Sequence, residues 1–383
     1  MVMARMGLRI ALLVRSQYRA VTMMVLLLAA AGCSTATAPQ NTLKEIVWPP
    51  PPETARIKFI RVVSSKNDLG KGSAQLITEA LVGKSEPESL TLPMAVAPTP
   101  DGKRLYVTDE AKPGVFLIDF EKRTMKPFGW GLGTPSGGHF KPADSASAES
   151  FNAPIGIALD AQGNVYVADS TSGRVNVFDR DGRFLRTITH ESLVHPVGIA
   201  VDSVRRRLYV ADSPSKESPN HGVRVFDLDG NFITSIGKTG SAQGEFGFPT
   251  YVAVDAAGNL YVSDTMNCRV QKFDPDGRYL QTFGERGDAY GQFVKPKGVA
   301  VDTFGNVYVV DTGWSNVQIF NQRGQMLLFF AGRSSFPGLL QNPAGIAIDG
   351  NNRIYVADAF NGRVSIYQLI NTTAEDSAMI SPP

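Results

Sequence analysis

A chain of 383 residues with 38 Lys and Arg against 36 Asp and Glu carries no strong charge of either sign. Four of the basic residues, Arg5, Arg9, Arg15 and Arg19, fall in the first 33 positions, where no acidic residue occurs; the remainder holds 34 basic against 36 acidic groups, a formal charge of −2. That balance leaves no basic footprint of the kind a nucleic-acid-binding surface shows, so nucleic acid is set aside as a partner.

Residues 1–33 read as an export signal: the arginines precede the apolar run Val21 to Ala31. The run is too short to be an ordinary membrane-spanning helix, which takes about 20 apolar residues. The basic region before it is long, and an internal methionine such as Met6 is a candidate true start. The run ends in Ala30-Ala31-Gly32-Cys33-Ser34, which resembles the lipobox of bacterial lipoproteins except for Ala30 where leucine is usual. The resemblance implies lipidation at Cys33 and a membrane anchor, and the absence of an acidic residue after the cysteine points to outer-membrane sorting rather than retention at the inner membrane. A competing reading is free secretion, with cleavage after Ala29-Ala30-Ala31, since small residues also suit ordinary signal peptidase. Acylation of Cys33 leaves Cys268 as a lone, partly buried thiol.

Residues 34–54 are rich in Ser, Thr, Ala and Pro and end in Trp48-Pro49-Pro50-Pro51-Pro52, a composition for a semi-rigid tether or a disordered mature N-terminus. In the insertion 66–91, Leu76, Ile77, Ala80 and Leu81 have helical spacing and predict a short amphipathic turn lying on the folded body.

From Leu92 one pattern recurs six times. A run of type PxGIAVD, as in Pro154 to Asp160, leads through a turn, often Gly-Asn, to a second run of type [LIV]YVxD. The six second runs close at Asp109, Asp169, Asp212, Asp264, Asp311 and Asp358, with spacings of 60, 43, 52, 47 and 47 residues. A third run such as Arg269 to Phe273, an Asp-Gly hairpin turn such as Asp276-Gly277 and a fourth run complete the unit. Four short antiparallel strands repeated at this period predict an all-β, six-bladed β-propeller spanning 55–370, with a flexible tail at 371–383. The sixth copy lacks a fourth strand. The alternating segment Arg56 to Val63 is expected to supply it, stitching the two chain ends into one sheet.

Over Pro93 to Tyr367 these residues resemble the NHL-repeat family of six-bladed propellers, most closely at Asp264 to Phe273. The resemblance implies a fold; members of that family bind RNA, bind proteins or act as enzymes, so the function has to come from a site.

The turns between strands one and two and between strands three and four are short, which predicts one flat, uniform face. The other connections, 129–153, 213–221, 237–248 and 284–295, are long and share the opposite face, so recognition is expected there. That face carries Trp130, His139, Lys216, His221, Tyr290, Trp314 and Phe336 as candidate partner-binding residues. The six closing aspartates form a tempting ring for a cation. Each instead begins a turn, where a carboxylate accepts backbone N–H groups, and Arg174, Arg269 and Arg363 follow five residues later as ion-pair partners. The positions after the inner-strand prolines, placed near the channel mouth, are Met94, Ile155, Val197, Thr250, Lys297 and Ala344, which offer no set of metal ligands. Four histidines in all, His139, His190, His195 and His221, give a zinc lyase little to work with, and no phosphate loop, haem-attachment site or nucleophile elbow is present.

The sequence therefore predicts a monomeric propeller of the cell envelope, lipid-anchored to the outer membrane or the periplasmic face. It would act without cofactor as a binding scaffold for a protein, peptide or polysaccharide. The alternative is a lactonase-like hydrolase or lyase using Ca²⁺ or Zn²⁺ in the central channel.

Overall fold

The computed structural model describes residues 45–70, 88–129, 151–215 and 220–373. The chain divides into units 1–45 and 46–383, and the second contains every blade. The signal and lipobox residues, Cys33 included, the helical turn expected near Leu76 and most of the tail lie outside the described residues.

Six antiparallel sheets are present, five of four strands and one of five. Blades one to six open with the inner strands Pro93–Pro98, Pro154–Leu159, Pro196–Asp202, Pro249–Val254, Pro296–Val301 and Pro343–Ile348. Each inner strand touches the next, and the last touches the first, so the sheets close a ring. In four blades the third residue of this strand is glycine, and the reason is steric. A Cβ on Gly156 would sit 2.2 Å from the Val197 carbonyl oxygen, and one on Gly198 would sit 2.4 Å from that of Thr250. Inner strands of neighbouring blades therefore approach at backbone distance.

The second strands, Arg104–Asp109, Val165–Asp169, Arg207–Asp212, Leu260–Asp264, Val307–Asp311 and Arg353–Asp358, are the most deeply buried. Covered on both faces by neighbouring blades, they read as continuous apolar runs. Their six tyrosines, Tyr106, Tyr166, Tyr209, Tyr261, Tyr308 and Tyr355, have almost no exposed surface. A buried phenol needs a partner for its O–H. In four blades it donates to an aspartate in the turn between the first two strands: Tyr166 to Asp160 at 3.2 Å, Tyr261 to Asp255 at 2.9 Å, Tyr308 to Asp302 at 3.1 Å and Tyr355 to Asp349 at 3.0 Å.

Ring closure follows the expected scheme. Ile57–Val63 pairs antiparallel with Arg363–Leu369, from Val63 opposite Val364 to Ile57 opposite Leu369, with a bulge between Phe59 and Arg61. The last sheet gains a further strand, Val47–Trp48, which pairs with Lys58 and Ile57. The stretch expected to be tether is thus part of the folded body from Val47 on. The cause is apolar: the Trp48 ring lies 5.9 Å from both Phe330 and Tyr367, capping the seam between blades five and six. Among the described residues no helix is long and apolar enough to cross a membrane.

Candidate functional site

The six closing aspartates are fully buried, and each clamps the loop that enters its own blade. Asp264 accepts the N–H groups of Gly247 and Phe248 at 2.7 and 3.2 Å; Asp311 does the same for Val294 and Lys295, and Asp169 for Asn152 and Ala153. Arg174, Arg269 and Arg363 pair with Asp169, Asp264 and Asp358 as the spacing predicts, and Arg224 pairs with Asp212. Burial pushes the Asp358 carboxyl above the usual range, against the pull of Gln341 N–H, Asn361 and Arg363. These carboxylates hold loops and are not arranged around a shared ion.

Three loops on the long-connection face share one build. In 237–248, 284–295 and 332–342 a single parallel bridge joins Thr239 to Phe246, Arg286 to Phe293 and Arg333 to Leu340. The second residue of each bridge is fully buried. Cations and amides then pin the loops to the turns between second and third strands: Arg286 donates to the Met266 carbonyl at 2.6 Å, Arg333 to that of Gly313 at 2.8 Å, and Asn267 to that of Gly240 at 2.9 Å. The outcome is a stiff platform whose tips are free to meet a partner.

Three of the predicted residues stand on that platform. Tyr290 is 79 % exposed, Phe336 73 % and Trp314 44 %. The Tyr290 ring stacks on Phe329 at 5.2 Å. His221 does not belong with them. It is fully buried, its Nδ1 lies 2.7 Å from the Gly247 carbonyl oxygen and its Nε2 2.9 Å from that of Ser215, and its ring packs edge-on against Phe248. It ties two loops together because a short polar ring between two carbonyls fills a gap that a free loop would leave. Trp130, His139 and Lys216 lie outside the described residues.

Two members of the surface escaped the sequence reading. Met266, 48 % exposed, and Phe360, 66 % exposed, occupy the second position after the closing aspartate in blades four and six, and Trp314 stands at the corresponding turn of blade five. Comparing that one position across the six copies would have found them. They form an apolar arc over three consecutive blades.

At the axis the repeat breaks most sharply in blade four. Where four blades carry glycine and blade one carries Ala95, blade four carries Tyr251. Its side chain crosses the ring and donates its hydroxyl to the Met94 carbonyl of blade one at 2.9 Å. Burial, with the negative charge of Glu110 second, raises its pKa far above that of a free tyrosine. One phenol thereby spans the axis from blade four to blade one. Lys297, the only cation among the six residues after the inner-strand prolines, stands in the same region. Its amine is held below the usual lysine range by burial first and then by Lys295, with Glu110 of blade one opposing both. Among the described residues no three His, Cys, Asp or Glu side chains converge as a metal site would require.

The face expected to be flat is not uniform. A cleft of about 680 Å³ opens there between blades one and two. The turns are short as predicted, but shortness fixes only their length, and the side chains crossing from blade to blade decide whether a groove stays open.

Known proteins match this chain in consecutive stretches. Residues 82–193 match the SMP-30/Gluconolactonase/LRE-like region, 195–284 the 6-bladed beta-propeller family, 287–321 the beta-propeller repeat and 340–367 the NHL repeat. Protein brain tumor of Drosophila melanogaster is 29 % identical over 125 residues, 31 % of this chain and 11 % of that protein, so the chain spans about a tenth of that relative. Among solved structures, a structural-genomics protein from Bacteroides thetaiotaomicron superposes with a TM-score of 0.55 at 18 % identity, covering 73 % of this chain and 70 % of its own. Virginiamycin B lyase from Staphylococcus aureus does so with a TM-score of 0.50 at 15 % identity, covering 76 % and 86 %. Likeness at such identities speaks to the fold.

Proposed function

The chain belongs to the NHL-repeat six-bladed propellers, and from that premise we propose that it is an exported binding scaffold of the cell envelope. In this reading the long-connection face receives a protein or peptide partner. The observation that carries the reading is the exposed arc of Met266, Trp314 and Phe360, extended by Tyr290 and Phe336, on loops stiffened by buried clamps. Aromatic and methionine side chains on a rigid base bury large area at small entropic cost, which is how interface anchors work. A polysaccharide would use the same aromatics through ring stacking and is the second kind of partner this surface suits.

The enzymatic alternative draws on the match to the SMP-30/Gluconolactonase/LRE-like region. The six residues after the inner-strand prolines do not fit a Ca²⁺ or Zn²⁺ ion: Met94 offers only a soft thioether, Ile155, Val197 and Ala344 have no side-chain donor atoms, Thr250 is bonded to Thr265 at 2.7 Å, and Lys297 repels a cation. Binding is therefore the better supported reading.

The test is affinity capture from the native envelope with the wild-type chain, with Trp314→Ala/Phe360→Ala and with Phe184→Ala as a control on a fourth strand outside the platform. Partners recovered by the wild type and the control but lost from the double variant support the reading. Identical recovery by all three removes the arc as the recognition surface, and measured lactone hydrolysis that needs added metal would favour the alternative.

A further inference from the structure

The cleft between blades one and two lies on the face opposite the loop platform and owes nothing to the reading above. At the other five junctions, side chains or turn backbones cross this face. Arg186 of blade two donates to the Leu228 carbonyl of blade three, and Arg207 of blade three to the Pro275 carbonyl of blade four. Gln322 of blade five accepts from Tyr261 at 3.1 Å and from Lys272 at 2.6 Å of blade four. Asn352 of blade six donates to Thr303 of blade five at 2.7 Å, and Gly350 N–H to the Pro100 carbonyl of blade one at 3.0 Å.

Among the described residues the junction of blades one and two makes one long bridge of this kind, from Tyr106 to the Arg180 carbonyl, although it has the residues for more. Lys126 occupies the register position of Arg186: each lies opposite the residue that pairs with the buried tyrosine of its blade. Arg104, like Arg207, stands two residues before that tyrosine. Arg104 turns back to Asp119 of its own blade at 3.4 Å, and Lys126 is exposed. Thr99 stands where four other blades have the aspartate that accepts the phenol, so Tyr106 reaches over and contacts the Arg180 carbonyl at a long 3.4 Å.

The outer part of this groove is basic, whereas the larger cleft balances Lys103, Arg104, Lys122 and Arg180 against Asp101, Asp119, Glu121 and Asp181. The cleft of about 680 Å³ runs into a second of about 420 Å³, and the two share Arg104, Asp119, Lys122, Arg180 and Asp181. Lining the outer part are Lys66, Arg104, Lys122, Lys126 and Arg180 against only Asp119 and Asp181, a local net charge of +3. Asp119 is already occupied by Arg104 and by the Lys122 N–H at 2.8 Å. Among the described residues, no carboxylate pairs with the side chains of Lys122, Lys126 or Arg180.

We propose that this groove binds a small oligoanion carrying two or more carboxylate or phosphate groups, with Lys122, Lys126 and Arg180 as its counter-charges. Cations spaced along a walled cleft favour a ligand whose charges are also spaced, and an arginine fork suits either oxyanion. Solvent reaches the groove, so the affinity is modest and falls as salt rises.

The experiment is titration calorimetry on the purified full chain with two probes, tripolyphosphate and a galacturonate trisaccharide, at low and moderate salt. Four proteins are compared: the wild type; Lys122→Glu/Arg180→Glu; Arg183→Glu/Arg278→Glu, which makes the same charge change at exposed turn residues outside the groove; and Gln162→Trp, which obstructs the cleft without changing charge. Melting temperatures confirm that each is folded. We expect at least one probe to bind the wild type, with affinity lowered at least about tenfold by the groove double and by Gln162→Trp. The control double should stay within about threefold. The bound probe identifies phosphate or carboxylate as the source of the anion. Binding of neither probe overturns the proposal, as does an equal loss in both doubles, which would mark a diffuse surface effect.

Discussion

Replacing Tyr251 by alanine copies what blade one already has at this position, Ala95, so the inner strand tolerates the new residue and the change removes only the side chain that spans the axis. A buried aromatic covers roughly 150–250 Å², which at about 25 cal/mol per Å² corresponds to about 4–6 kcal/mol as an upper bound; measured large-to-small aromatic substitutions cost about 3–5 kcal/mol. Tyr251→Phe keeps the ring and deletes only the bond to the Met94 carbonyl, about 1 kcal/mol. In a domain of this size each kcal/mol moves the melting temperature by about 2–4 °C. Thermal unfolding followed by circular dichroism should therefore show a drop of roughly 10 °C for the alanine variant and about 3 °C for the phenylalanine variant. If Tyr251→Ala melts within about 2 °C of the wild type, the phenol is not a pin between blades one and four and the reasoning fails.

Three further outcomes follow from the same geometry. Val63→Asp places a carboxylate at a fully buried position of the closing strand, opposite Val364, and should cost more than about 3 kcal/mol in urea unfolding; Ile60→Asp, on the exposed side of the same strand, should stay within about 0.5 kcal/mol. Asp264→Ala strands the Gly247 N–H and the largely buried Arg269, for an expected loss of about 3–5 kcal/mol; a double-mutant cycle with Arg269→Ala should return a coupling of about 1–3 kcal/mol, and zero coupling would mean that the pair is incidental. Alkaline stability should collapse early. Burial raises the pKa of Tyr106, Tyr166, Tyr209, Tyr251, Tyr261, Tyr308, Tyr355 and Tyr367 above the unfolded value near 10. Above that pH the unfolded chain releases protons that the folded ring retains, so stability falls by up to about 1.4 kcal/mol per pH unit for each such tyrosine. Tyrosinate absorbance from these residues should rise together with unfolding, and a rise that precedes unfolding would contradict the burial argument.

The ring was legible because its causes are local and repeated. The alternating segment Ile57 to Val63 had no partner in its own neighbourhood and the sixth blade lacked a strand, so pairing was forced. The aspartate clamps were legible in kind, through the five-residue spacing to arginine, although the N–H donors come mainly from the incoming loop, which spacing alone does not reveal. His221 was misread because a histidine in a long loop looks available, whereas two carbonyls from separate segments enclose it. Trp48 was misread in the opposite sense: the four prolines after it suggested an extended spacer, but its ring had Phe330 and Tyr367 to cover.

What the sequence hid lies where one copy differs from the others, and there is a physical reason. A device present in every blade serves what every blade needs, namely a satisfied turn, a buried phenol and a close inner strand. A departure removes such a device and must be held by something else. Glycine gives way to Tyr251, which crosses the axis and bonds to blade one. Aspartate gives way to Thr99, which leaves Tyr106 reaching for the Arg180 carbonyl of the next blade beside an open groove. Each change is a single letter in a strongly repetitive chain and weighs little in any reading of the pattern. These departures, rather than the repeated aspartates, are what distinguishes one blade from another in this ring.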